Sequence, residues 1–574
     1  MNQASQFRSS KWFNRIDHAG FEHRTHLKAR GHLGDMFDGR PVIGIANSAS
    51  DLVPCNAHLT QLADAVSRGV LESGGFPLVF PTMSIGDSLM RPTGMLFRNL
   101  MSMELEELLR ANPLDGVVLL SGCDNTAPAY LMGAASVNLP TILVHGGPMI
   151  NGSFRGKKIG SGTDIIRLGN DYRIGKISQK DFVESEVGMS RSIGHCNTIG
   201  TAATMGGLAE ALGMSLPGTS AIPAVDSRRL TSSQLSGRRI VEMVKEGLCV
   251  SDIITLGALE NAIKVNAAVG GSTNAILHLI ALAGRLELPL TVRDVDHLSR
   301  GVPLLANLQP NGEFLMEDFY LAGGMPALMN SMSATLNTDA LTVSGRSIGH
   351  NIQSAEIYNE KVIRPISNPV KYDGGLAVLF GNLAPNGAVI KPSAASKNLM
   401  RHRGRSVVFE NIEELEERID SPDLEVDEDS ILVLKDAGPR GYPGMSEVGN
   451  MRIPKKLLDR GITDIVRISD GRMSGTAFGT VILHVSPEAL VGGPLSLVEE
   501  GDIIEVDVEK RRLHLDVGEL QLEQRRNSRV NKDITQDRGY TKLFRDHVLQ
   551  ADKGCDFDFL VGRSGSAVPA RKGF

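Results

Sequence analysis

The chain predicts an α/β protein in two parts, an N-terminal parallel-sheet α/β domain and a C-terminal β-barrel-like domain. Three observations point there. Apolar strand-like runs alternate with amphipathic helical patterns from about residue 40 to residue 145, which argues for a parallel sheet. Composition shifts between Pro365 and Asp373. Beyond that shift, many short strand-like runs separated by turn residues suggest a barrel-like architecture. The expected division is residues 1–368 and 369–574, since 574 residues exceed one ordinary core.

Taken in order, Arg40–Ala46 reads as a buried strand whose following loop carries Cys55. Asn56 can cap a helix to about Ser73, with Leu59, Leu62, Ala63, Val66 and Val70 on one face. Phe76–Phe80 is a second strand, and Asp87 sits in the loop after it. A helix follows over Pro92–Ala111, with Pro in the first turn where a missing N–H does no harm. The third strand, Gly116–Ser121, runs into Gly122-Cys123-Asp124-Asn125. A helix over 127–136 and a strand over Thr141–His145 complete the alternation. In parallel sheets ligands gather beyond the carboxyl ends of strands, and Cys55, Asp87 and Cys123-Asp124 all fall there.

The stretch Gly146–Gly162 is rich in Gly and basic residues. Gly152-Ser-Phe-Arg-Gly156-Lys157-Lys158 has one residue too few between its glycines for a P-loop and no Ser or Thr after its first Lys. It is no nucleotide signature, and an anionic substrate is the remaining role for it. Cys196 is expected at the N-terminus of the helical pattern Ala202–Gly213, where the helix dipole favours a thiolate or an anionic cluster. Glu260–Leu286 is helical with an interruption at Gly270-Gly271-Ser272-Thr273-Asn274. In the second part, strands are expected at 376–380, 406–410, 431–434, 465–468 and 480–485, then at 503–508 and 513–517 around a charged turn.

Hydrophobic content of 41% with 22% charged residues is that of a soluble globular protein. The formal charge of −6 and the scattered Lys and Arg give no nucleic-acid footprint. No window approaches the roughly 18 apolar residues of a membrane helix. The N-terminus, Met1–Arg15, lacks the apolar core of a secretory signal. Five cysteines make no disulfide framework, so a reducing cytoplasm is expected.

Cys123 and Asp124 place a soft ligand beside a hard one. Thiolate suits iron–sulfur clusters or zinc, and carboxylate suits magnesium or manganese, so one loop can serve two inorganic centres. Cys55, Cys123 and Cys196 are far apart in the chain, unlike the closely paired ligands of structural zinc. Spacing alone does not separate a metal site from three buried cysteines; their strand-end loops favour the metal site. Cys249 and Cys555 lack that context.

Pro54-Cys55-Asn56, Gly122-Cys123-Asp124 and Gly194-His195-Cys196-Asn197-Thr198 resemble the dihydroxyacid and sugar-acid dehydratase family. So do Pro443-Gly444-Met445-Ser446-Glu447-Val448-Gly449-Asn450 and Gly471-Arg472-Met473-Ser474-Gly475-Thr476. The match runs in order from about Asp38 to Pro487, and within the family the chain looks most like the pentonate dehydratases. The resemblance implies a [2Fe–2S] cluster on Cys55, Cys123 and Cys196, and a Mg²⁺ ion on Asp87, Asp124 and Glu447. It implies Ser474 as the base, a sugar acid as substrate, a 2-keto-3-deoxy acid as product, and a homodimer or homotetramer. The runner-up activity is the dihydroxyacid dehydratase reaction of branched-chain amino acid synthesis. A non-catalytic iron–sulfur protein is a third reading.

The chain departs from the family pattern at two positions. Asp87 stands where most relatives place the longer Glu. Asn125 stands where typical members carry a Lys that becomes carbamylated and ligates Mg²⁺. A neutral amide in place of an anionic ligand weakens Mg²⁺ binding. Asn125 could ligate through its carbonyl, the substrate could hold the ion, or the usual reaction could be lost.

Overall fold

The computed structural model describes residues 7–372, 374–530, 538–565 and 567–568. The outer ends of the two expected parts, residues 1–6 and 569–574, lie outside the described residues, as does Asp373 at the compositional shift.

The first sheet contains β1 (Val42–Asn47), β2 (Phe76–Pro81), β3 (Gly116–Ser121) and β4 (Thr141–His145), all parallel, in the order β2-β1-β3-β4. β3 and β4 are buried along their whole length, as continuous apolar runs covered on both faces must be. The register sets Asn47 beside Pro81 and Leu120, and Ser121 beside His145, so the four carboxyl ends form one edge. The helix Leu59–Glu72 buries Leu59, Leu62, Ala63, Val66 and Val70, the stripe that its spacing demands.

Two helix starts differ from expectation. Asn56 caps nothing: it lies in a 3₁₀ turn, and its Nδ2 donates to Ser84 Oγ (3.0 Å) and Ser48 Oγ (3.3 Å). The helix begins at Leu59 instead. Pro92 precedes the next helix rather than opening it, because Thr93 Oγ1 accepts from Met95 N (3.3 Å) and caps a 3₁₀ turn, Gly94–Phe97. The α-helix proper is Arg98–Ala111.

After β4 comes a hairpin, β5 (Gly152–Phe154) with β6 (Lys157–Ile159), too short for periodicity to show. Two of its basic side chains are already paired, Arg155 with Asp181 and Glu184, and Lys158 with Asp318, while Lys157 is exposed. Helices Thr163–Arg173 and Gln179–Met189 follow. The chain then returns: Met149 N donates to His195 O (2.9 Å) and His195 N to Gly147 O (3.1 Å), which hangs the Cys196 loop on the end of β4. The next helix starts only at Thr201. Cys196 is therefore in a loop and not at a helix N-terminus.

The second sheet has eight strands: β7 (Ala377–Leu379), β8 (Gly387–Ile390), β9 (Arg401–Phe409), β10 (Ile431–Leu434), β11 (Val466–Ser469), β12 (Val481–Ser486), β13 (Ile503–Asp507) and β14 (Arg512–Leu515). Their order is β14-β13-β9-β10-β11-β12-β8-β7, parallel from β9 to β12 and antiparallel outside. Phe380 N donates to Arg511 O and Leu513 N to Phe380 O, both at 2.8 Å, so the two edges nearly close into a barrel. Alternation sorts the core: Ile431 and Val433 join one apolar cluster, Leu432 and Leu434 another. β8 and the charged first half of β9 fall outside the expected strands.

Residues 550–556 tie the barrel to the helices of the N-terminal part: Ser486 Oγ donates to Asp552 Oδ1 (2.6 Å) and Glu488 N to Gln550 Oε1 (2.9 Å). Arg98 Nη2 donates to Gly554 O (2.9 Å) and Cys555 O (2.8 Å), and Arg285 forms a two-pronged pair with Asp556 (2.6 and 3.0 Å). Both arginines are fully buried, where such charge-assisted bonds are strongest. Among the described residues no helix is long and apolar enough to cross a membrane.

Candidate active site between the two sheets

Loops from both sheets meet around one cavity of about 790 Å³. Cys55, Cys123, Cys196, Asp87, Asp124, Glu447 and Ser474 all line it. Asn125 lies just behind, fully buried.

The sulfurs occupy one part of the wall. Cys55 and Cys123 are brought into contact because Gly122 lacks a side chain: a Cβ there would fall 2.4 Å from Cys55 O and 2.5 Å from Asn56 Oδ1. The Cys123 thiol donates to Asp124 Oδ1 (3.2 Å), and its hydrogen bonding with Cys55 raises its own pKa well above the ordinary value and lowers that of Cys55. Burial pushes Cys196 up to about 12.

The oxygens occupy another part. One oxygen each from Asp87, Asp124 and Glu447 lie within 4.8 Å of one another. Burial, then the charges of Asp87 and Glu447, push Asp124 well above the usual carboxylate range; burial takes Glu447 up to about 7. Asp124 and Glu447, with raised affinity for protons and converging with Asp87, are short of positive charge. Arg472, fully buried, supplies some, with Nη1 3.4 Å from Glu447 and Nη2 3.8 Å from Asp87. Asn125 Nδ2 donates to Asp87 Oδ2 (2.9 Å) and more weakly to Asp124 Oδ1 (3.3 Å), while its Oδ1 is buried without a partner. The shorter Asp87 is reached by Thr93 Oγ1 (2.7 Å) and by Gly94 N.

Ser474 sits in the loop between β11 and β12. Its Oγ is 3.0 Å from Thr476 Oγ1, accepts from Thr476 N (3.4 Å), and faces Glu447. The loop can lie against the start of the helix Thr201–Ala211 because Gly475 has no Cβ, which would meet Thr201 N at 2.6 Å.

Three supporting residues escaped the sequence reading. Arg472 and Thr476 flank Ser474 in a motif read only for its serine. Asn274, in the interruption at Gly270–Asn274, donates to Glu447 Oε1 (2.7 Å) and Met473 O (3.1 Å). Lys391 is buried and does not line the cavity, and Ser393 donates to Asn311. His195 lines the cavity wall, but burial holds it down at about 3, so it is a neutral ring against Cys196 O (2.9 Å) and His145.

Two family models cover most of the chain. Residues 40–351 match the dihydroxy-acid/6-phosphogluconate dehydratase N-terminal model, and residues 361–555 match its C-terminal counterpart. An L-arabonate dehydratase of Azospirillum brasilense is 53% identical over 575 residues, 98% of each chain. An L-arabinonate dehydratase of Rhizobium leguminosarum bv. trifolii is 52% identical over 566 residues, again 98% of each. A dihydroxy-acid dehydratase of Ignicoccus hospitalis is 39% identical over 540 residues, 93% of this chain and 97% of that one. With both models matched in order and such relatives along nearly its whole length, the chain belongs to the dihydroxy-acid/6-phosphogluconate dehydratase family of hydro-lyases.

Proposed function

We propose that the protein dehydrates a sugar acid, an aldonate such as a pentonate, to a 2-keto-3-deoxy acid. In this reading residues 1–368 hold the metal centres, and residues 369–574 contribute Glu447 and Ser474. The observation that carries it is the convergence of three thiols, three carboxylates and a serine on one cavity. The greater likeness to sugar-acid dehydratases than to the dihydroxy-acid enzyme supports the substrate class.

The donor sets fit two inorganic groups. Cys55, Cys123 and Cys196 are soft, adjoining and buried, and would hold an iron–sulfur cluster, in this reading [2Fe–2S]. Asp87, Asp124 and Glu447 are hard, crowded and short of positive charge, and would hold Mg²⁺, with the unpartnered Asn125 Oδ1 beside them. When bound, these groups supply Lewis acidity toward the substrate carboxylate, its 2-hydroxyl and the departing 3-hydroxyl.

The chain's own residues do the rest. Ser474 as alkoxide takes the proton from C2, and the freed electron pair forms the C2–C3 double bond while the C3–O bond breaks. Ser474 then returns its proton to the departing hydroxide, so water leaves and the alkoxide is restored. The enol tautomerises to the 2-keto acid. An alkoxide is costly in water, and here the Thr476 hydroxyl and N–H both donate toward Ser474 Oγ. Arg472 and Asn274 hold Glu447 beside it.

Anaerobic purification with iron, sulfide and magnesium analysis, followed by a screen of aldonates for 2-keto acid formation, tests this reading. Preparations with full iron and magnesium content that turn over no aldonate would sink it. A homodimer or homotetramer in the cytoplasm belongs to the same reading; light scattering on the purified protein tests the assembly.

A further inference from the structure

The mouth of the cavity carries charges that the chemistry above does not use. Four carboxylates line the cavity, Asp51, Asp87, Asp124 and Glu447, against one guanidinium, Arg191. Asp87, Asp124 and Glu447 form the candidate cation site. Asp51 and Arg191 are left over.

Both belong to the rim. Asp51, Ser190 and Arg191 are exposed, while the chain is buried again by Gly194 and His195. Arg191 stands five residues before Cys196, and Asp51 four before Cys55. Each therefore lies within about 18 Å of chain from a cysteine on the cavity wall. Arg191 Nη1 donates to Asn151 O (2.8 Å), which holds the side chain and leaves other N–H groups free to turn inward. Neither Asp51 nor Arg191 forms an ion pair among the described residues.

We propose that this rim binds the end of the substrate remote from its carboxylate, and that this end is uncharged and hydroxylated. The inference rests on the dehydratase reading and narrows its substrate class. One anion and one cation at the rim sum to zero. Arg191 offers donors only, Asp51 acceptors only, and a hydroxyl can satisfy either. A polyol tail therefore uses both residues. A terminal phosphate or sulfonate would meet a single arginine together with a repelling carboxylate, which selects against it.

The test uses the loaded enzyme with Arg191→Met and Asp51→Asn variants. The acids are an aldopentonate, gluconate, 6-phosphogluconate, and 2,3-dihydroxyisovalerate, which has no hydroxylated tail. Wild type should prefer gluconate over 6-phosphogluconate. Losing a hydrogen bond to a charged group should lower the pentonate-to-dihydroxyisovalerate ratio of kcat/KM about tenfold in each variant, through KM. Asp51→Asn should also improve turnover of 6-phosphogluconate relative to gluconate. Unchanged ratios with an active wild type overturn the proposal alone. A wild-type preference for 6-phosphogluconate that Arg191→Met abolishes overturns it in favour of a remote anion. A wild type that turns over none of the four acids overturns the dehydratase reading and the proposal together.

Discussion

The two halves of the candidate site are built differently. Cys55, Cys123 and Cys196 all come from loops around the first sheet, brought together by strand ends and by one glycine. The carboxylate half is a joint: Asp87 and Asp124 come from the first sheet, while Glu447, Arg472 and Ser474 come from loops of the barrel. The sulfur half thus depends on one sheet and the oxygen half on the docking of two. Damage to one half should leave the other measurable.

The strongest challenge to that separation is Cys123→Ser. We expect activity to fall to background with loss of visible cluster absorbance, while Mn²⁺ binding followed by paramagnetic resonance persists. Loss of Mn²⁺ binding as well would show the halves to be one unit. Next comes Ser474→Ala, expected to cut kcat about 10²–10⁴-fold, with absorbance and Mn²⁺ binding retained. A variant with nearly full activity would remove Ser474 from its role as base. Glu447→Gln removes one of the three converging negative charges and should weaken Mn²⁺ binding about tenfold or more. Unchanged iron content would separate that loss from the cluster.

Asn125→Ala sharpens the comparison at the seam, since Asn125 follows Cys123-Asp124 directly. Its amide now holds Asp87 and Asp124 together, so its loss should weaken Mn²⁺ binding, by about tenfold or less. No change would leave Asn125 without a part in the cation site.

The smallest effect on activity is expected at Lys391, outside both halves. Its Nζ is buried without a hydrogen-bond partner, and burial holds the amine at about 7. The folded pKa lies below that of the unfolded chain. Unfolding therefore takes up a proton between about pH 7 and 10.5, and stability rises with pH across that window. Lys391→Met should raise the Tm near neutral pH by the equivalent of a few kcal/mol, because each tenfold loss of proton affinity on folding costs about 1.4 kcal/mol. The gain should fade toward pH 10.5; a gain independent of pH would show the penalty not to be one of charge.

Much of this architecture was legible because the signals were local and periodic. The β1–β4 alternation and most barrel strands could be read from apolar runs, and the cysteines from their place at strand ends. What escaped depended on partners distant in the chain. Asn56 has the composition of a cap but bonds to Ser48 and Ser84 instead. Cys196 precedes a helical pattern, yet pairing of His195 with Gly147 and Met149 decides where it goes. Nothing around Asn274 in sequence indicates Glu447, which it meets only after the barrel docks. Motifs carried the serine and Glu447; geometry alone revealed Arg472 as the buried cation between them and Asp87.

The order of these parts along the chain also sets an order in time. The last cysteine of the cavity wall is Cys196, whereas the barrel's first contribution, Glu447, comes roughly 250 residues later. At about 5–20 residues per second of synthesis, the sulfur loops emerge on the order of 10–50 seconds before anything can roof them. In the proposed reading, three thiols are thus available to an iron donor before Glu447 and Ser474 join them. The strap around Asp556 arrives last and pins Arg98 and Arg285.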